Sequence, residues 1–335
     1  MKTESSSMKT LIRGLSLSFA IAAAVQMPMV LAEAPDAYAV SQRFNLTGAG
    51  KWDFISLDAR RDRLFVTRND HVDVVSSKTG ELIGTIADTP GVHGVAFAQG
   101  LKIGFTSNGK SNSVTVFDLD TLKTLRTIKV SGANPDALLY DEPSQRLYTF
   151  NGKTANITVI NAKKLEVVQT IEVSGKPELP ASDGQTLFVN LEDKAAIAVI
   201  DMKTGKMKTS WALIGCTNPT GLALDVKRAR LFSTCDNQKM VVTNAKTGEQ
   251  VAIVPIGLGP DGVAYDGELQ TIFSSNGKDG TLTVVQQNDA DHYSVLTTLQ
   301  TEKGAKTLAY DAASRRIFMP TVVEDRFMVL VVSPR

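Results

Sequence analysis

The stretch GPDGVAYD, Gly259 to Asp266, is written more than once in this chain. NPDALLYD (Asn134–Asp141) and NPTGLALD (Asn218–Asp225) are close copies. Aligning on the residue five before the Asp that closes each phrase gives Asp53, His93, Asp136, Glu178, Thr220, Asp261 and Lys306. The intervals are 40, 43, 42, 42, 41 and 45 residues, so one unit of about 42 residues occurs seven times. A period of this length marks a solenoid, a propeller or an array.

Each unit follows one order. A short apolar run such as GVAYD leads through a turn to RLFVT, RLYTF, RLFST or TIFSS. A polar loop leads on to SVTVFD, NITVIN, AIAVID or TLTVV. A turn such as Lys78-Thr79-Gly80, Lys203-Thr204-Gly205 or Lys246-Thr247-Gly248 precedes a last run such as LRTIKV. Runs of four to seven residues, rich in Val, Ile, Thr and aromatics and bounded by turn residues, are strands. No segment has a convincing helical period. Four strands per unit predict an all-β, seven-bladed β-propeller of antiparallel four-stranded blades. Blades are expected to begin near residues 50, 91, 132, 175, 215, 257 and 304. After Lys306 only 29 residues remain, enough for three strands. The fourth is expected from the other end, residues 37–47, so that the N-terminal strand completes the last blade and leaves no open sheet edge.

The chain resembles the YVTN-type (YncE-like) repeat propellers of bacterial secreted proteins, over Tyr38 to Val332. The stretches that carry the likeness are Phe105-Thr106-Ser107-Asn108, Tyr148-Thr149-Phe150-Asn151 and Phe273-Ser274-Ser275-Asn276, none an exact Tyr-Val-Thr-Asn. The resemblance implies the propeller fold. It carries less about function, because propellers host binding proteins and enzymes alike.

The N-terminus reads as a secretory signal peptide. Met8 to Arg13 is a short basic start, Gly14 to Leu31 is uncharged and apolar, and Val30-Leu31-Ala32 fits a cleavage site. Residues 1–32 are therefore expected to be removed and 33–335 to form one domain, monomeric, exported to the periplasm or beyond, with no membrane insertion after cleavage. Gln26 and Pro28 interrupt the apolar run, against a membrane anchor. Removal of the leader takes three basic residues and one acidic one and leaves 33 Lys+Arg against 34 Asp+Glu. That balance exerts no general pull on nucleic acid or anionic lipid.

The repeated letters divide into scaffold and site. Asp58/Arg63, Asp141/Arg146, Asp225/Arg230 and Asp311/Arg316 flank the turn between first and second strands, where an ion pair or a side-chain-to-backbone bond is expected. Asn108-Gly109, Asn151-Gly152 and Asn276-Gly277 are hairpin signals with tolerance for positive φ.

The alignment column itself lies where the chain passes from one blade's outer strand to the next blade's innermost strand, at the rim of the central channel. Asp53, His93, Asp136, Glu178, Thr220, Asp261 and Lys306 are all polar, and with Asn108, Asn151 and Asn276 they form the candidate ligand-binding rim for a small molecule or a protein partner. Oxygen donors suit Ca²⁺, Mg²⁺ or Mn²⁺, and Asp53, Asp136, Glu178 and Asn151 are the candidate metal ligands.

Cys216 and Cys235 fall toward one face of the fifth blade and are expected to pair as a disulfide in an exported chain. Two Cys with His71, His93 and His292 lack zinc-site spacing. Trp52 adjoins Asp53 and is placed either against a ligand or between blades.

No nucleophile elbow, P-loop, dinucleotide fingerprint or haem motif is present. Three functions remain. The first is a binding or scaffold protein. The second is a metal-dependent hydrolase resembling the lactonase and gluconolactonase propellers, with His93 as acid or base. The third is a single-stranded nucleic-acid binder, which the YncE-like resemblance implies. An acidic rim and few exposed aromatics oppose that third reading, although Lys110, Lys153, Lys194 and Lys278 recur on one set of loops.

Overall fold

A computed structural model describes residues 37–335 except Ala49. The expected leader, 1–32, lies outside the described residues. Seven four-stranded antiparallel sheets form a closed ring, each with its strands in consecutive order except the last. First strands are Trp52–Asp58, Val92–Ala98, Pro135–Asp141, Pro177–Ser182, Pro219–Asp225, Pro260–Asp266 and the short Ala309–Asp311. The last sheet joins Tyr38–Asn45 to Arg326–Pro334, with Tyr38 opposite Pro334 and Asn45 opposite Met328. The N-terminal strand thus closes the ring as the count of strands demanded. Two single 3-10 turns, Gln99–Leu101 and Glu192–Lys194, are the helical elements among the described residues.

Burial follows strand position. Second and third strands are sandwiched between neighbouring blades and are buried almost throughout, as in Arg146–Asn151 and Asn156–Asn161. Fourth strands face solvent, as Thr124–Lys129 does with one buried residue. This explains why middle strands read as continuous apolar runs and outer ones alternate poorly.

One column of the repeat forms the wedge of every blade: Phe65, Phe105, Tyr148, Phe188, Phe232, Phe273 and Phe318 are each at most 1% exposed. Four of these rings meet an aromatic from the next blade's first strand: Phe65–Phe97 at 4.9 Å, Phe105–Tyr140 at 6.3 Å, Phe232–Tyr265 at 5.2 Å and Phe273–Tyr310 at 4.9 Å between centroids. Tilted and edge contacts of this kind hold blade to blade beyond the area they bury.

The turn aspartates bond the backbone. Asp58, Asp141, Asp225 and Asp311 accept from the N–H groups of Arg60, Ser144, Arg228 and Ala313 at 3.0–3.1 Å. Their arginine companions reach the neighbouring blade instead. Arg63 donates to Leu119 O (2.7 Å), Arg146 to Met202 O (3.4 Å), Arg230 to Ala290 O (3.0 Å) and Arg316 to Ser77 O (2.9 Å). Of the two alternatives expected at these turns, the side-chain-to-backbone bond is made by all four aspartates, and an ion pair with the arginine five residues on only by Asp311, with Arg316 at 4.0 Å. The Arg side chain is long enough to leave its own turn and satisfy a carbonyl that no strand pairs.

Cys216 and Cys235 are disulfide-bonded with Cα atoms 5.4 Å apart. The bond ties the loop entering the fifth blade to the end of strand Arg230–Cys235. It closes a loop of 19 residues' separation, for which chain entropy gives about 3 kcal/mol. A Cys216→Ser/Cys235→Ser protein is therefore expected to melt roughly 5–10 °C lower in a calorimetric scan. An unchanged melting temperature would mean that the Asp236 N–H to Thr217 O bond (2.8 Å) holds the loop unaided.

Candidate functional site

The rim is set two residues beyond a kinked entry to each first strand. Two positions before the rim column stand Lys51, Gly91, Asn134, Lys176, Asn218, Gly259 and Gly304. Gly91, Asn134, Asn218, Gly259 and Gly304 have φ between 45° and 86°. Gly and Asn tolerate that left-handed conformation, which accounts for the recurring N-P and G-P letters. The turn aims the next residues across the channel mouth. Rim backbones are then held from the preceding blade. Ser107 donates to Asp136 O, Asn190 to Gly221 O (2.9 Å) and Ser275 to Lys306 O.

Most of the seven rim side chains form one charged lattice. Lys306 Nζ lies 2.9 Å from Asp53 Oδ1 and 2.7 Å from Asp261 Oδ2. His93 Nδ1 lies 2.6 Å from Asp53 Oδ2 and 3.7 Å from Asp136 Oδ1. Glu178 pairs with Lys176 at 2.8 Å, and the same ammonium bonds Glu192. Thr220 stands apart: its hydroxyl donates to Pro260 O at 2.7 Å and serves the scaffold.

The lattice is recessed, with side chains 10–25% exposed for Asp53, His93, Asp136, Glu178 and Asp261, and 37% for Lys306. Two hollows flank it, one of about 320 Å³ that includes Asp53, His93 and Asn134, the other of about 350 Å³ that includes Asp261, Lys306 and Thr220.

Charge is unevenly satisfied across the lattice. Burial works against the charged form of Asp53, but the hydrogen bond from His93 and the Lys306 charge prevail and hold its carboxyl below the ordinary value. His93 is raised, its desolvation being outweighed by Asp53 and Asp136. Asp136 is pushed up to about 6 by burial, only partly offset by His93. Glu178 is pushed up to about 8 by burial and by Asp136, with Lys176 opposing. Asp261 is raised by burial against the pull of Lys306. Asp136 alone among these carboxyls has no cation within 3.5 Å.

Asn108, Asn151 and Asn276 depart from the expected rim. They are at most 1% exposed and bond inside their own blades. Asn151 Nδ2 donates to Asn156 Oδ1 (3.0 Å) and Thr158 Oγ1 (2.9 Å), while its Oδ1 accepts from Thr149 (3.1 Å). Asn108 and Asn276 repeat the pattern with Thr115 and Thr283 at 2.9 Å. Each pins the second-to-third-strand hairpin, so Asn151 does not stand with Asp53 and Asp136. The left-handed residues of these loops are Asn112, Ala155 and Gly280 rather than the Asn-Gly pairs. At two of the three pairs the glycine is needed for space: a Cβ on Gly109 would lie 2.6 Å from His93 Nε2, and one on Gly277 2.5 Å from Lys306 Cβ, whereas one on Gly152 would meet nothing nearer than 3.5 Å.

Trp52 packs edge-on against Phe327 at 5.6 Å, between blades. The sequence reading missed Lys176 and Asn134. Both sit in the column two before the rim, which would have shown them. On the outer collar, Lys110 donates to Asn69 (3.1 Å), Lys194 pairs with Asp193 (3.4 Å) and Lys278 with Asp236 (2.8 Å).

No family model and no curated protein sequence matches this chain. Solved structures do. A chain titled Kuenenia stuttgartiensis hydrazine synthase superposes with a TM-score of 0.76 at 16% identity, over 85% of this chain and 96% of its own length. A chain of a mitotic checkpoint complex superposes with a TM-score of 0.77 at 14% identity, over 96% and 100% respectively. At such identities the likeness is one of fold, and the fold is that of a seven-bladed β-propeller.

Proposed function

We propose that this chain is an exported binding protein of the YVTN-like repeat class, and that the mouth of its channel holds a small ligand bearing positive charge. The supporting observation is Asp136. Its carboxyl is recessed among three neighbouring carboxylates, Asp53, Glu178 and Asp261, each of which has its own cation, while Asp136 has only His93 at 3.7 Å. A partly buried carboxylate without a close donor is where an added cation gains most. A recessed lattice favours a small ligand over a flat protein surface. The disulfide and the leader-like 1–32 segment support export. The test is calorimetric titration with Ca²⁺, Mg²⁺, Mn²⁺ and simple ammonium ions. Binding by one of these that weakens at least about tenfold in Asp136→Asn is expected. Binding of anions alone would overturn the reading.

A metal-dependent hydrolase is the second reading. Asp53, His93 and Asp136 each offer one ligand atom, all within 4.8 Å of one another. Against it, the Lys306 ammonium already stands 2.9 Å from Asp53 and repels a second cation there. Both readings allow a divalent ion that Asp136→Asn loses, so turnover separates them. Lactone or ester hydrolysis that EDTA and Asp136→Asn both abolish would favour the hydrolase, and no hydrolysis by the metal-loaded protein would favour the binding protein.

A further inference from the structure

The inner strands carry a second feature, built from residues that follow the rim column in the chain. A cavity of about 210 Å³ is lined by Phe54, Leu138, Leu139, Leu179, Pro180 and Leu308, among others. Its walls come from only five of the seven blades. Phe54 follows Asp53, Gly94 follows His93, Ala137 follows Asp136, Leu179 follows Glu178, and Leu308 is two residues past Lys306. The fifth and sixth blades, whose rim residues are Thr220 and Asp261, contribute none of the lining residues. The apolar space therefore lies under the same five blades that supply Asp53, His93, Asp136, Glu178 and Lys306.

A repeat protein would line its channel evenly if lining were incidental to the fold. Here the cavity lining comes from one arc of five blades, and the two bulky residues of the column after the rim stand three blades apart on that arc. In the column after the rim, Phe54 and Leu179 stand where the second, fifth and sixth blades have Gly94, Gly221 and Gly262. An enclosed apolar cavity of roughly 150 Å³ is enough to take up a ring-sized molecule; this one, about 210 Å³, is partly open and has Ser56 beside its apolar side chains. Asp136, the carboxylate without a close cation, immediately precedes the Ala137–Leu139 wall.

We infer that the site takes a small organic ammonium ion with a compact apolar body, its charged nitrogen against Asp136 and its body in the cavity walled by Phe54, Leu138, Leu179 and Leu308. This rests on the cationic-ligand reading above and narrows it from any cation to an amphipathic amine. The occupant follows from charge complementarity at the mouth and apolar complementarity in the cavity, in the usual arrangement of a few placed polar groups over an apolar pocket. A carboxylate-headed molecule of the same shape would meet Asp136, which has no close cation, and be repelled. A bare metal ion would use the mouth and leave the cavity idle.

The test uses the 33–335 protein and four probes at pH 7: cyclohexylamine, methylamine, cyclohexanol and cyclohexanecarboxylate, titrated by calorimetry or by NMR shifts, with Ca²⁺ as a fifth. Cyclohexylamine is expected to bind about 10- to 100-fold tighter than methylamine, from the apolar area it buries. It should also bind at least about tenfold tighter than cyclohexanol, from the charge-assisted bond to Asp136. Asp136→Asn should abolish the second advantage and keep the first. Leu179→Trp, which fills the cavity, should abolish the first and keep the second. If that variant fails to fold, the wild-type series still decides. Methylamine or Ca²⁺ binding as tightly as cyclohexylamine would overturn the amphipathic ligand and leave the cationic mouth standing. Preference for cyclohexanecarboxylate, or no binding by any cation, would overturn both.

Discussion

Removing residues 37–45 is expected to unfold the ring, not to shorten it. Tyr38–Asn45 is the outer strand of the seventh blade, though it comes first in the chain. Tyr38 and Phe44 are each 6% exposed. Tyr38 meets Phe273 edge-on at 5.5 Å and Phe44 stacks near Phe318 at 6.5 Å, so the strand reaches into the cores on both sides of its blade. Losing one such aromatic to alanine costs about 3–5 kcal/mol. Losing both approaches the whole stability of an ordinary domain, roughly 5–15 kcal/mol.

The deletion also uncovers Arg326–Pro334. Its FMVLVV run is buried now, and as a free edge it would template aggregation. A chain beginning at Leu46 should therefore elute as aggregate and show no cooperative melt. Phe44→Ala alone should stay folded and lose about 3 kcal/mol in urea titration. A soluble Leu46 chain melting within a few degrees of the 33–335 protein would show that the ring does not depend on its closure.

The ring was legible in the sequence because repetition is a signal that averages over seven noisy copies. The closing strand followed from arithmetic, since three strands remained where four were needed. The rim column was legible for the same reason: polar residues at one repeat position cannot be explained by the apolar core. Other features were not legible from residue type. Asn108, Asn151 and Asn276 looked like rim ligands, yet they turn inward because each hairpin has hydroxyl partners, such as Thr115, Thr158 and Thr283, within its own blade.

Arginines five residues from an aspartate left a local ion pair and a side-chain-to-backbone bond both open. The backbone N–H groups of the turn claimed the aspartates first, and the arginines crossed to the next blade. The cavity was hidden altogether. Leu138 and Leu222 occupy the same repeat column and both pack on inter-blade cores, but only Leu138 also lines the channel cavity, while Leu222 is 4% exposed. Only packing against neighbours separates them.

Replacing Lys306 by methionine tests whether the lattice is electrostatic or merely packed. Met keeps most of the apolar stem and removes the charge shared by Asp53 and Asp261. Asp53 keeps His93 at 2.6 Å, but Asp261 has no other cation among its ion pairs in the described residues. Breaking a buried pair by removing one partner costs about 3–5 kcal/mol. With the lysine 37% exposed and the carboxylates 19%, solvent screening reduces the expected loss to roughly 2 kcal/mol at neutral pH.

The pH dependence gives the sign. Burial already raises Asp261 above its ordinary value, with Lys306 opposing. Without Lys306 it rises further. A carboxyl raised in the folded state binds its proton there while the unfolded chain has released it. Stability then falls as pH climbs from the unfolded value, about 4, through the folded one. The gap between Lys306→Met and the unaltered protein should therefore be small near pH 4 and widest above pH 7 in urea titrations. Asp261→Asn in the Lys306→Met background should recover much of the loss at high pH, because the stranded charge is gone. An equal gap at both pH values, with no recovery by Asp261→Asn, would mean that Lys306 acts through its stem. The rim would then be a packed collar and not a balanced charge lattice into which a cation can enter.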